Sequence, residues 1–456
     1  MLRRLQLENF KSWPKLDIEF RPLTVLFGAN SSGKTSIIQF LLLLKQTKDS
    51  TNSQAVLEFG DQNSPVELGS YRDAVFGHNT SLSMAWNLDW AAERNVVFSD
   101  VTKRASQMFA TSAIGISVDL SSRGRQVITN ELAYRADDLS FALKKRDGKS
   151  GYQLISSDEG EIKFVRTMGR AWDLPGPTKC FSFPDQAQTY YQNAQFLGLF
   201  ENAYVEQMDA ILHLGPLRDD PKRQYPWSGS TPSDVGPRGE RTIEAILAAT
   251  EAGTRRNIKY RSPTKSFQEM IALWLRKLGL IDSFRVEEVG QSSGLFRVFV
   301  KRGPKSVETL ITDVGFGVSQ ILPMLTLLYF AEEGSTILVE QPEIHLHPHV
   351  QAGLADLVIA AIINRRLQVI VESHSEHFLN RLLRRIAERE TEFGMLERDS
   401  IRLYFCENTA GHSRLEPLEV NIFGGVENWP KDFFGDQMAD IIGRERAAAR
   451  WRSRSK

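Results

Sequence analysis

One stretch near the start of the chain constrains the fold more than any other feature. Residues 28–35, GANSSGKT, have the spacing G-x-x-x-x-G-K-[ST] of a phosphate-binding loop. An apolar run at 23–27 predicts a buried strand before the loop, and apolar residues at helical spacing in 36–45 predict a helix after it. Strand, glycine-rich loop and helix are the context that this motif requires. The sequence therefore predicts a nucleotide-binding site rather than a chance glycine turn.

The chemistry of this loop assigns roles to its residues. Its backbone N–H groups turn towards an anion at a helix N-terminus, where the helix dipole also favours negative charge. We expect Lys34 to reach the β- and γ-phosphates, and the hydroxyl of Thr35 to bind Mg²⁺. The expected ligands are ATP and Mg²⁺. The expected nucleotide-binding residues of the loop are Asn30, Ser31, Ser32, Gly33, Lys34, Thr35 and Ser36.

Length and composition limit the class of protein. A chain of 456 residues predicts two or three structural units. Its 56 basic and 56 acidic residues argue against a basic surface over the whole chain, although not against a local patch. Two distant cysteines imply no disulfide framework and fit a reducing compartment. There is no apolar run near the roughly 20 residues that span a bilayer, and the opening MLRR lacks a signal-peptide pattern. We expect a soluble, cytoplasmic protein that does not contact a membrane.

The pattern along the first half predicts two kinds of structure. Alternating residues at 2–8 and 15–20 predict a hairpin that leads into the P-loop strand. Large apolar residues then occupy every even position from 82 to 90, which predicts a half-buried strand. Residues 186–212 have a helical pattern whose aromatic stripe favours core packing, with base stacking as the alternative. Further strands of an antiparallel region at about 80–170 are predicted at 114–120, 139–143, 152–155 and 162–165, with a turn at Asp147-Gly148.

The segment 218–277 is the most basic internal part of the chain. It has twelve basic and seven acidic residues. Two interpretations are open: a solvated face whose charges are compensated elsewhere, or a surface that contacts a nucleic-acid backbone. Five prolines within 215–239 predict a loop or linker at its start. The basic residues considered for phosphate contact include Arg218, Lys222, Arg223, Arg255, Arg256, Lys259 and Arg261.

A second group of motifs supplies what a P-loop lacks. The apolar run 336–339 predicts a strand that ends in Glu340-Gln341-Pro342-Glu343, a Walker B element at the carboxyl edge of a sheet. We expect Glu340 to hold the Mg²⁺ shell together with Thr35. A helix is predicted from Pro348, a strand at 368–371, and another helix after Glu372-Ser373-His374-Ser375. These are two successive βα units and predict a parallel sheet.

Glycines and a serine before the apolar run 321–330 predict a second anion-binding helix end. The residues concerned are Gly317 and Ser319, within 313–320. Two phosphate-binding helix ends in one chain suggest that one of them serves the nucleotide of a partner subunit.

Several stretches together point to one family. They are ENFKS (8–12), GANSSGKT (28–35), LGPLRDDP (214–221), GFGVSQ (315–320), VEQPEIHLHP (339–348), SHSEHFL (373–379) and WPKDFF (429–434). The chain resembles ATP-binding-cassette (ABC) ATPases of the RecF, structural-maintenance-of-chromosomes (SMC) and OLD (overcoming-lysogenization-defect) type. More narrowly, it resembles stand-alone prokaryotic ATPases whose relatives include the ATPase subunits of anti-phage systems such as Septu. The motifs cover both ends of the chain, and residues 82–210 match only loosely.

The resemblance implies a head-to-tail dimer or a higher oligomer. Gly317 and Ser319 of one subunit would close over the ATP bound to Lys34 of the other. It also implies that His374 is the switch histidine that contacts the γ-phosphate. The implied catalytic set is Glu340, Gln341, Glu343 and His374.

One position departs from the family pattern. Many relatives have Asp-Glu where this chain has Glu340-Gln341. The second position usually supplies the carboxylate that activates water, and a neutral glutamine cannot take the proton of that water. Either Glu343 substitutes for it or hydrolysis is slow. With slow hydrolysis, ATP would act as a clamp rather than as fuel.

Two other sites are weighed and set aside. His345, His347 and His349 alternate beside Glu343 as in a metal cluster, but Pro348 and the helix that begins there break that geometry. An in-chain nuclease is not expected, because the chain after His374 is short and its pattern at 401–406 and 415–420 predicts a small hairpin. The basic tail 444–456 is expected to be disordered, with a nucleic-acid or partner contact as the alternative.

The sequence thus predicts an α/β fold, an ABC-type P-loop NTPase with a split core, in which a mixed or parallel sheet is accompanied by an inserted antiparallel β and helical region. The predicted units are an N-terminal ATPase lobe (1–79), the inserted region (80–300), a C-terminal ATPase lobe (301–395) and a small C-terminal region (396–456). Three functions compete. They are an ATPase that regulates a separate effector, expected to be a nuclease, in anti-phage defence, a non-hydrolysing ATP-bound scaffold, and a RecF-like DNA repair ATPase that binds DNA through 218–277.

Overall fold

The computed structural model describes residues 1–52, 55–100, 106–157, 164–167, 169, 172–259, 261–290 and 292–430, without the side chains of 99, 100 and 106–109. The tail 444–456, most of the WPKDFF stretch and half of the strand predicted at 162–165 lie outside these residues.

The elements follow in chain order. The strands are β1 (Leu2–Phe10), β2 (Trp13–Glu19), β3 (Leu23–Gly28), β4 (Met84–Asp100), β5 (Ser106–Arg123), β6 (Gln126–Ala136), β7 (Leu139–Lys145), β8 (Tyr152–Ser156), β9 (Ile211–Leu214), β10 (Tyr225–Pro226), β11 (Arg255–Arg256), β12 (Lys265–Ser266), β13 (Ser283–Glu288), β14 (Leu295–Lys301), β15 (Thr309–Leu310), β16 (Thr336–Glu340), β17 (Gln368–Glu372), β18 (Glu390–Thr391), β19 (Gly394–Met395), β20 (Ile401–Thr409) and β21 (His412–Pro417). The helices are α1 (Lys34–Asp49), α2 (Tyr71–Ala74), α3 (Asp185–Tyr190), α4 (Leu197–Asp209), α5 (Thr242–Glu251), α6 (Phe267–Lys277), α7 (Gly317–Phe330), α8 (Pro348–Arg365) and α9 (Glu376–Glu388), with 3₁₀ turns at Phe76–His78, Ile311–Asp313 and Arg398–Ser400.

A six-stranded mixed sheet carries the predicted nucleotide motifs. Its strand order is β21-β20-β3-β17-β16-β9, and the five strands from β20 to β9 are parallel. The two βα units predicted from 336–376 are confirmed, because β16 leads into α8 and β17 leads into α9. Parallel strands place their carboxyl ends at one edge, so the P-loop after β3 and the acidic residues after β16 and β17 meet there.

A seven-stranded antiparallel sheet forms a second layer, with the order β2-β1-β4-β5-β6-β7-β8. The predicted N-terminal hairpin and the predicted strands at 82–90, 114–120, 139–143 and 152–155 are confirmed. Strand β6 lies between two of them and was not predicted. Because β1 pairs with β4, this sheet continues across the predicted boundary at residues 79 and 80.

Helix α1 packs into one of two hydrophobic cores, which also contains side chains of both sheets and of α4. The aromatic stripe of 186–212 belongs to this core: Phe196, Phe200 and Tyr204 are buried, and the ring of Phe200 stacks on that of Tyr134 at 5.3 Å. This supports the core-packing interpretation over a base-stacking platform.

The second core lies on the other face of the central sheet. It contains helices α5 to α9 and the small sheet in which β14 pairs with β10, β13 and β15. The prolines of 215–239 lie in the segment between β9 and α5, where only the two-residue strand β10 is formed.

The structure differs from the prediction in several places. The predicted helix 186–212 is interrupted at 191–196, which lie between α3 and α4 and form no helix. Residues 211 and 212 were predicted as helix, but they form β9, because Ala210 ends α4 and the apolar chain then pairs with β16. Helix α7 begins at Gly317, so the predicted signature lies within its first turn rather than before it. The C-terminal hairpin of β20 and β21 joins the central sheet through β3.

Within the described residues, there is no helix whose length and apolar character would allow it to cross a membrane. Cys180 and Cys406 are both buried and free.

A buried ion pair joins the two helices that follow the site strands. Asp356 on α8 is only 4% exposed. It accepts hydrogen bonds from Arg381 at 2.6 Å and from Arg385 at 2.7 Å, both on α9. The cluster therefore fixes α9 against α8, and with it the orientation of the loop that precedes α9.

Replacing this carboxylate tests its contribution to stability. We expect Asp356→Asn to lower the free energy of unfolding by about 3 kcal/mol, because it leaves two guanidinium groups without their buried counter-charge. Urea unfolding followed by tryptophan fluorescence measures the change. The control is Glu8→Gln, in the exposed pair of Glu8 and Lys15 at 3.5 Å, since such pairs contribute only about 0–1 kcal/mol. Equal losses in the two variants would contradict the role given to Asp356.

Candidate nucleotide-binding site

The P-loop connects a fully buried strand to the first turn of α1. Gly28 has a φ of 141° and Gly33 has a φ of 97°, backbone angles that residues with a Cβ rarely adopt. A Cβ on Gly28 would lie 2.1 Å from the carbonyl oxygen of Cys406 on β20. The loop therefore needs glycine for its backbone conformation and for the close approach of β20.

Lys34 lies over the loop that precedes it. Its Nζ donates to the carbonyl oxygens of Gly28 at 3.0 Å and Ala29 at 2.7 Å, and lies 3.3 Å from Oγ of Ser32. Burial lowers the pKa of Lys34, and the nearby carboxylate of Glu372 opposes this shift. The ammonium group is thus placed where a bound phosphate would accept its hydrogen bonds in place of the loop carbonyls.

The hydroxyl of Thr35 contacts a carboxylate that the sequence did not assign to the site. Thr35 Oγ1 lies 3.0 Å from Oε1 and 2.8 Å from Oε2 of Glu372, the last residue of β17. Glu372 is 2% exposed. Burial raises its pKa, and the hydrogen bond from Thr35 acts in the opposite direction.

Glu340, the predicted Mg²⁺ residue, contacts the strand that neighbours β16 on the side away from the P-loop. Its Oε1 lies 2.7 Å from Nε2 of His213 on β9, and the carboxylate is nearly buried. Arg218, which follows β9, places Nη2 3.5 Å from the carbonyl oxygen of Glu340. Burial lowers the pKa of Arg218 to about 10 against the opposing charge of Glu340. Among the described residues, Nε and Nη1 of Arg218 find no hydrogen-bond partner.

Gln341 and the predicted switch histidine lie together. Gln341 Nε2 is 3.4 Å from Nε2 of His374, and Gln341 has a φ of 43° in the left-handed region. Its backbone N–H donates to the carbonyl of Glu372 at 2.8 Å. Burial, with the nearby charge of Lys34, lowers the pKa of His374.

Glu343 contacts the loop between β17 and α9, which carries the predicted switch histidine, His374. Its Oε1 accepts a short hydrogen bond from the backbone N–H of His374, and its side chain is buried. Burial raises the pKa of Glu343, and that hydrogen bond opposes the shift. Glu343 is therefore placed to position His374.

A cavity of about 190 Å³ lies at this edge of the sheet. It is lined by Ser12, Asn30, Ser31, Ser32, Gly33, Lys34, Thr35, Ser36, Gln341, Glu372 and His374. The structure thus brings together the whole predicted P-loop set with Gln341 and His374. Within the described residues, neither Glu340 nor Glu343 lines this cavity, and Glu372 is the acidic residue that does.

The signature residues lie elsewhere on the same chain. Gly317 opens α7, and Ser319 donates its hydroxyl to the carbonyl of Phe316 at 2.8 Å. Neither is among the described residues that line the cavity. Their contact with a nucleotide in trans stays a prediction.

Many basic residues of the segment 218–277 are paired with acids of the same chain. This leaves less positive charge available to a nucleic-acid backbone, and nucleic-acid contact through the segment stays a prediction. The pairs are Arg223 with Asp313, Arg238 with Asp219, Arg241 with Asp234, Arg276 with Asp282, and both Lys259 and Lys277 with Glu392.

The sequence did not assign Glu372, His213 or Arg218 to this site, and Arg218 was named only as a candidate contact of a nucleic-acid backbone. Glu372 was predicted to lie between a strand and a helix, without a role in the nucleotide site. His213 lies on β9, which two other strands separate from the P-loop strand in the sheet, and Arg218 lies in the loop after β9. The available signal was an acidic residue at the end of a second buried strand, since such strand ends meet at the ligand edge of a parallel sheet.

His347 has a structural role. Its Nδ1 accepts from the backbone N–H of His349 at 3.3 Å, so it caps the N-terminus of α8. This contact accounts for one member of the alternating histidines without a metal.

The comparisons with known proteins agree with the geometry. The model of the "AAA ATPase domain" family matches residues 1–108 and 249–379. A family described as "Protein of unknown function (DUF3696)" matches residues 396–442. The DNA replication and repair protein RecF of Lachnoclostridium phytofermentans is 26% identical over 113 residues, which cover 24% of this chain and 30% of that protein. The chain therefore aligns with less than a third of that relative.

Solved structures of SMC heads align over most of the chain at low similarity. An SMC head bound to the C-terminal winged-helix domain of ScpA gives a TM-score of 0.42 at 12% identity, covering 92% of this chain and 98% of that one. The SMC head domain of Thermotoga maritima gives 0.39 at 12% identity, covering 92% and 99%.

Three observations agree on the family and the fold. They are the P-loop, the parallel strands that carry the acidic residues, and a family model that covers more than half of the sequence. The chain belongs to the AAA ATPase domain family, and its fold is an α/β P-loop NTPase fold.

Proposed function

We propose that this ATPase is a slow switch. Two copies close head to tail over ATP, hydrolysis is slow, and the ATP-bound dimer controls a separate effector protein. The observation that carries the proposal is the neutral side chain of Gln341 in the nucleotide cavity, at the position where a general base is expected.

The cavity has the donors that a nucleoside triphosphate needs. Backbone N–H groups at the start of α1 and the ammonium group of Lys34 surround the place of the phosphates. The hydroxyl of Thr35 and an adjacent carboxylate are hard oxygen ligands of the kind that Mg²⁺ prefers. When bound there, Mg²⁺ would neutralise charge on the phosphate oxygens.

Three residues around the place of the γ-phosphate support slow turnover. The amide of Gln341 can orient water but cannot accept its proton. His374 contacts Gln341. Glu343 accepts a hydrogen bond from the backbone N–H of His374, and Glu372, the carboxylate that lines the cavity, accepts one from the hydroxyl of Thr35. In this arrangement, the residues hold the nucleotide and the water in position without a strong base.

The dimer is supported by the exposed start of α7. Phe316, directly before that helix, is 64% exposed, an unusual environment for a large aromatic side chain. The N-terminus of α7 carries free N–H groups and a positive dipole end, which would suit the phosphates of a nucleotide on a partner subunit. Gly317 and Ser319 would then complete the site in trans.

The effector is proposed from sequence resemblance. The VEQPEIHLHP and SHSEHFL stretches resemble those of stand-alone ATPases in anti-phage systems such as Septu, and the regulated partner would be a nuclease. A RecF-like role in DNA repair is the second candidate, which the alignment with the RecF relative favours.

Dimerisation is the first test. In saturating ATP and Mg²⁺, we expect the wild type to sediment as a dimer and Phe316→Asp to remain monomeric with unchanged ATP affinity, because the new carboxylate would face the phosphates of the partner. Lys34→Ala should also remain monomeric, but through at least tenfold weaker ATP binding, as loss of charge-assisted hydrogen bonds implies. The control is Phe423→Asp, at another exposed phenylalanine, 81% exposed. A dimer formed by Phe316→Asp, or a wild type that stays monomeric, would refute the head-to-tail arrangement.

Turnover is the second test. We expect Gln341→Glu to raise the rate of ATP hydrolysis by about 100-fold or more, because it restores a group that can take the proton of water. Single-turnover phosphate release at saturating ATP measures the change. If the wild type already turns over at about 10 s⁻¹ and Glu343→Gln abolishes this, Glu343 is the base and the slow switch is wrong.

The biological role needs a cellular test. We expect cells that express the protein with its neighbouring gene to reduce phage plaque formation, and Lys34→Ala to remove that protection because the ATP-bound state is lost. Lys15→Ala, at an exposed lysine of β2, is the control. Sensitivity to DNA damage in place of phage sensitivity would favour the repair role.

A further inference from the structure

Two acidic residues end neighbouring strands of the central sheet, and only one contacts the P-loop helix. Glu340 and Glu372 are register partners in the parallel pairing of β16 with β17. Strand β17 lies between β16 and the P-loop strand β3, and Glu372 is also paired with Leu26 of β3. Glu372 is therefore one strand closer to the P-loop than the predicted Walker B residue.

The side chains of these two residues point to different partners. Glu340 contacts His213, on the strand farther from the P-loop. Glu372 contacts the hydroxyl of Thr35 with both carboxylate oxygens, at 3.0 and 2.8 Å, and lines the nucleotide cavity.

A threonine hydroxyl has one proton and two acceptor lone pairs. When Glu372 accepts the hydrogen bond from the Thr35 hydroxyl, the lone pairs of Oγ1 remain available for a cation. The carboxylate also adds negative charge beside that oxygen, which favours a divalent cation.

We propose that Glu372, and not Glu340, is the carboxylate through which this chain holds the divalent cation of its nucleotide. Glu372 is a positioning residue that acts by orienting the hydroxyl of Thr35 and by its charge. The inference rests on the proposed binding of ATP and deepens it, because it assigns the cation to a residue outside the usual Walker B position.

A purely structural role is the competing interpretation. A half-buried glutamate elsewhere in the chain also accepts a hydrogen bond from a hydroxyl. Glu201 accepts from Ser182 Oγ at 2.8 Å and from the backbone N–H of Phe183 at 2.8 Å. Glu201 lies on α4, away from the nucleotide cavity, so it provides a matched control.

The test measures the affinity of a fluorescent ATP analogue with Mg²⁺ and with EDTA. For the wild type, we expect tighter binding with Mg²⁺. Glu372→Gln should keep the affinity measured in EDTA and lose at least about tenfold of the Mg²⁺ enhancement, as removal of a charged partner implies. Glu201→Gln should keep the whole enhancement, and its thermal unfolding midpoint controls for the loss of a half-buried glutamate that accepts from a hydroxyl.

A double-mutant cycle tests whether Glu372 acts through Thr35. Thr35→Val should lose the Mg²⁺ enhancement, and the double variant Thr35→Val with Glu372→Gln should lose little more, since residues that act together are not additive. Mn²⁺ bound to the complex of protein and ADP, followed by electron paramagnetic resonance, gives a readout that does not depend on hydrolysis.

The outcomes separate this inference from the proposed function. If Glu372→Gln keeps the enhancement, or if Glu340→Gln loses it as well, the assignment to Glu372 over Glu340 is overturned while ATP binding stands. If the wild type binds no nucleotide in either condition, the proposed function itself fails.

Discussion

The parallel pairing of β3, β17 and β16 is the constraint on which the rest of the structure depends. Alternate side chains of these strands enter two different cores. Leu26, Ile370 and Leu338 pack on the face of α1, and Val25, Val369 and Val339 pack on the opposite face. A shift of one residue would exchange the two sets and expose each to the wrong core. The register is therefore strongly specified, and it fixes where each strand ends.

This alternation also places the two carboxylates. Glu340 and Glu372 follow Leu338 and Ile370 by two residues, so both point to the face on which α1 packs. The P-loop places Thr35 on the same face, in the first turn of α1. Because β17 is the direct neighbour of β3, the hydroxyl of Thr35 meets Glu372 first. A contact between residues far apart in sequence thus follows from strand order and side-chain parity alone.

Local signals predicted much of this arrangement from the sequence. The P-loop, the strands at 336–339 and 368–371, and the helix from Pro348 have unambiguous apolar patterns and capping residues, and they were confirmed. The strand β6 was missed because Thr129, Asn130 and Glu131 interrupt its apolar pattern. The partners of Glu340 were missed because His213 belongs to a short strand that continues a helical pattern. Lateral strand order depends on tertiary packing, so the preference of Thr35 for Glu372 could not be deduced from spacing.

At the turn after β16, the backbone determines the geometry of the site, and the side chain at position 341 determines whether a proton can be accepted there. Gln341 takes a left-handed conformation, and such backbone strain is retained at functional sites when the surroundings enforce it. Here the enforcing contact is the hydrogen bond from its backbone N–H to the carbonyl of Glu372, which any residue other than proline can make. The position of the side chain at 341 is thus set by the backbone and by the register of β16 with β17. A change from glutamate to glutamine at this position would therefore remove a proton acceptor and leave the backbone geometry of the turn unchanged.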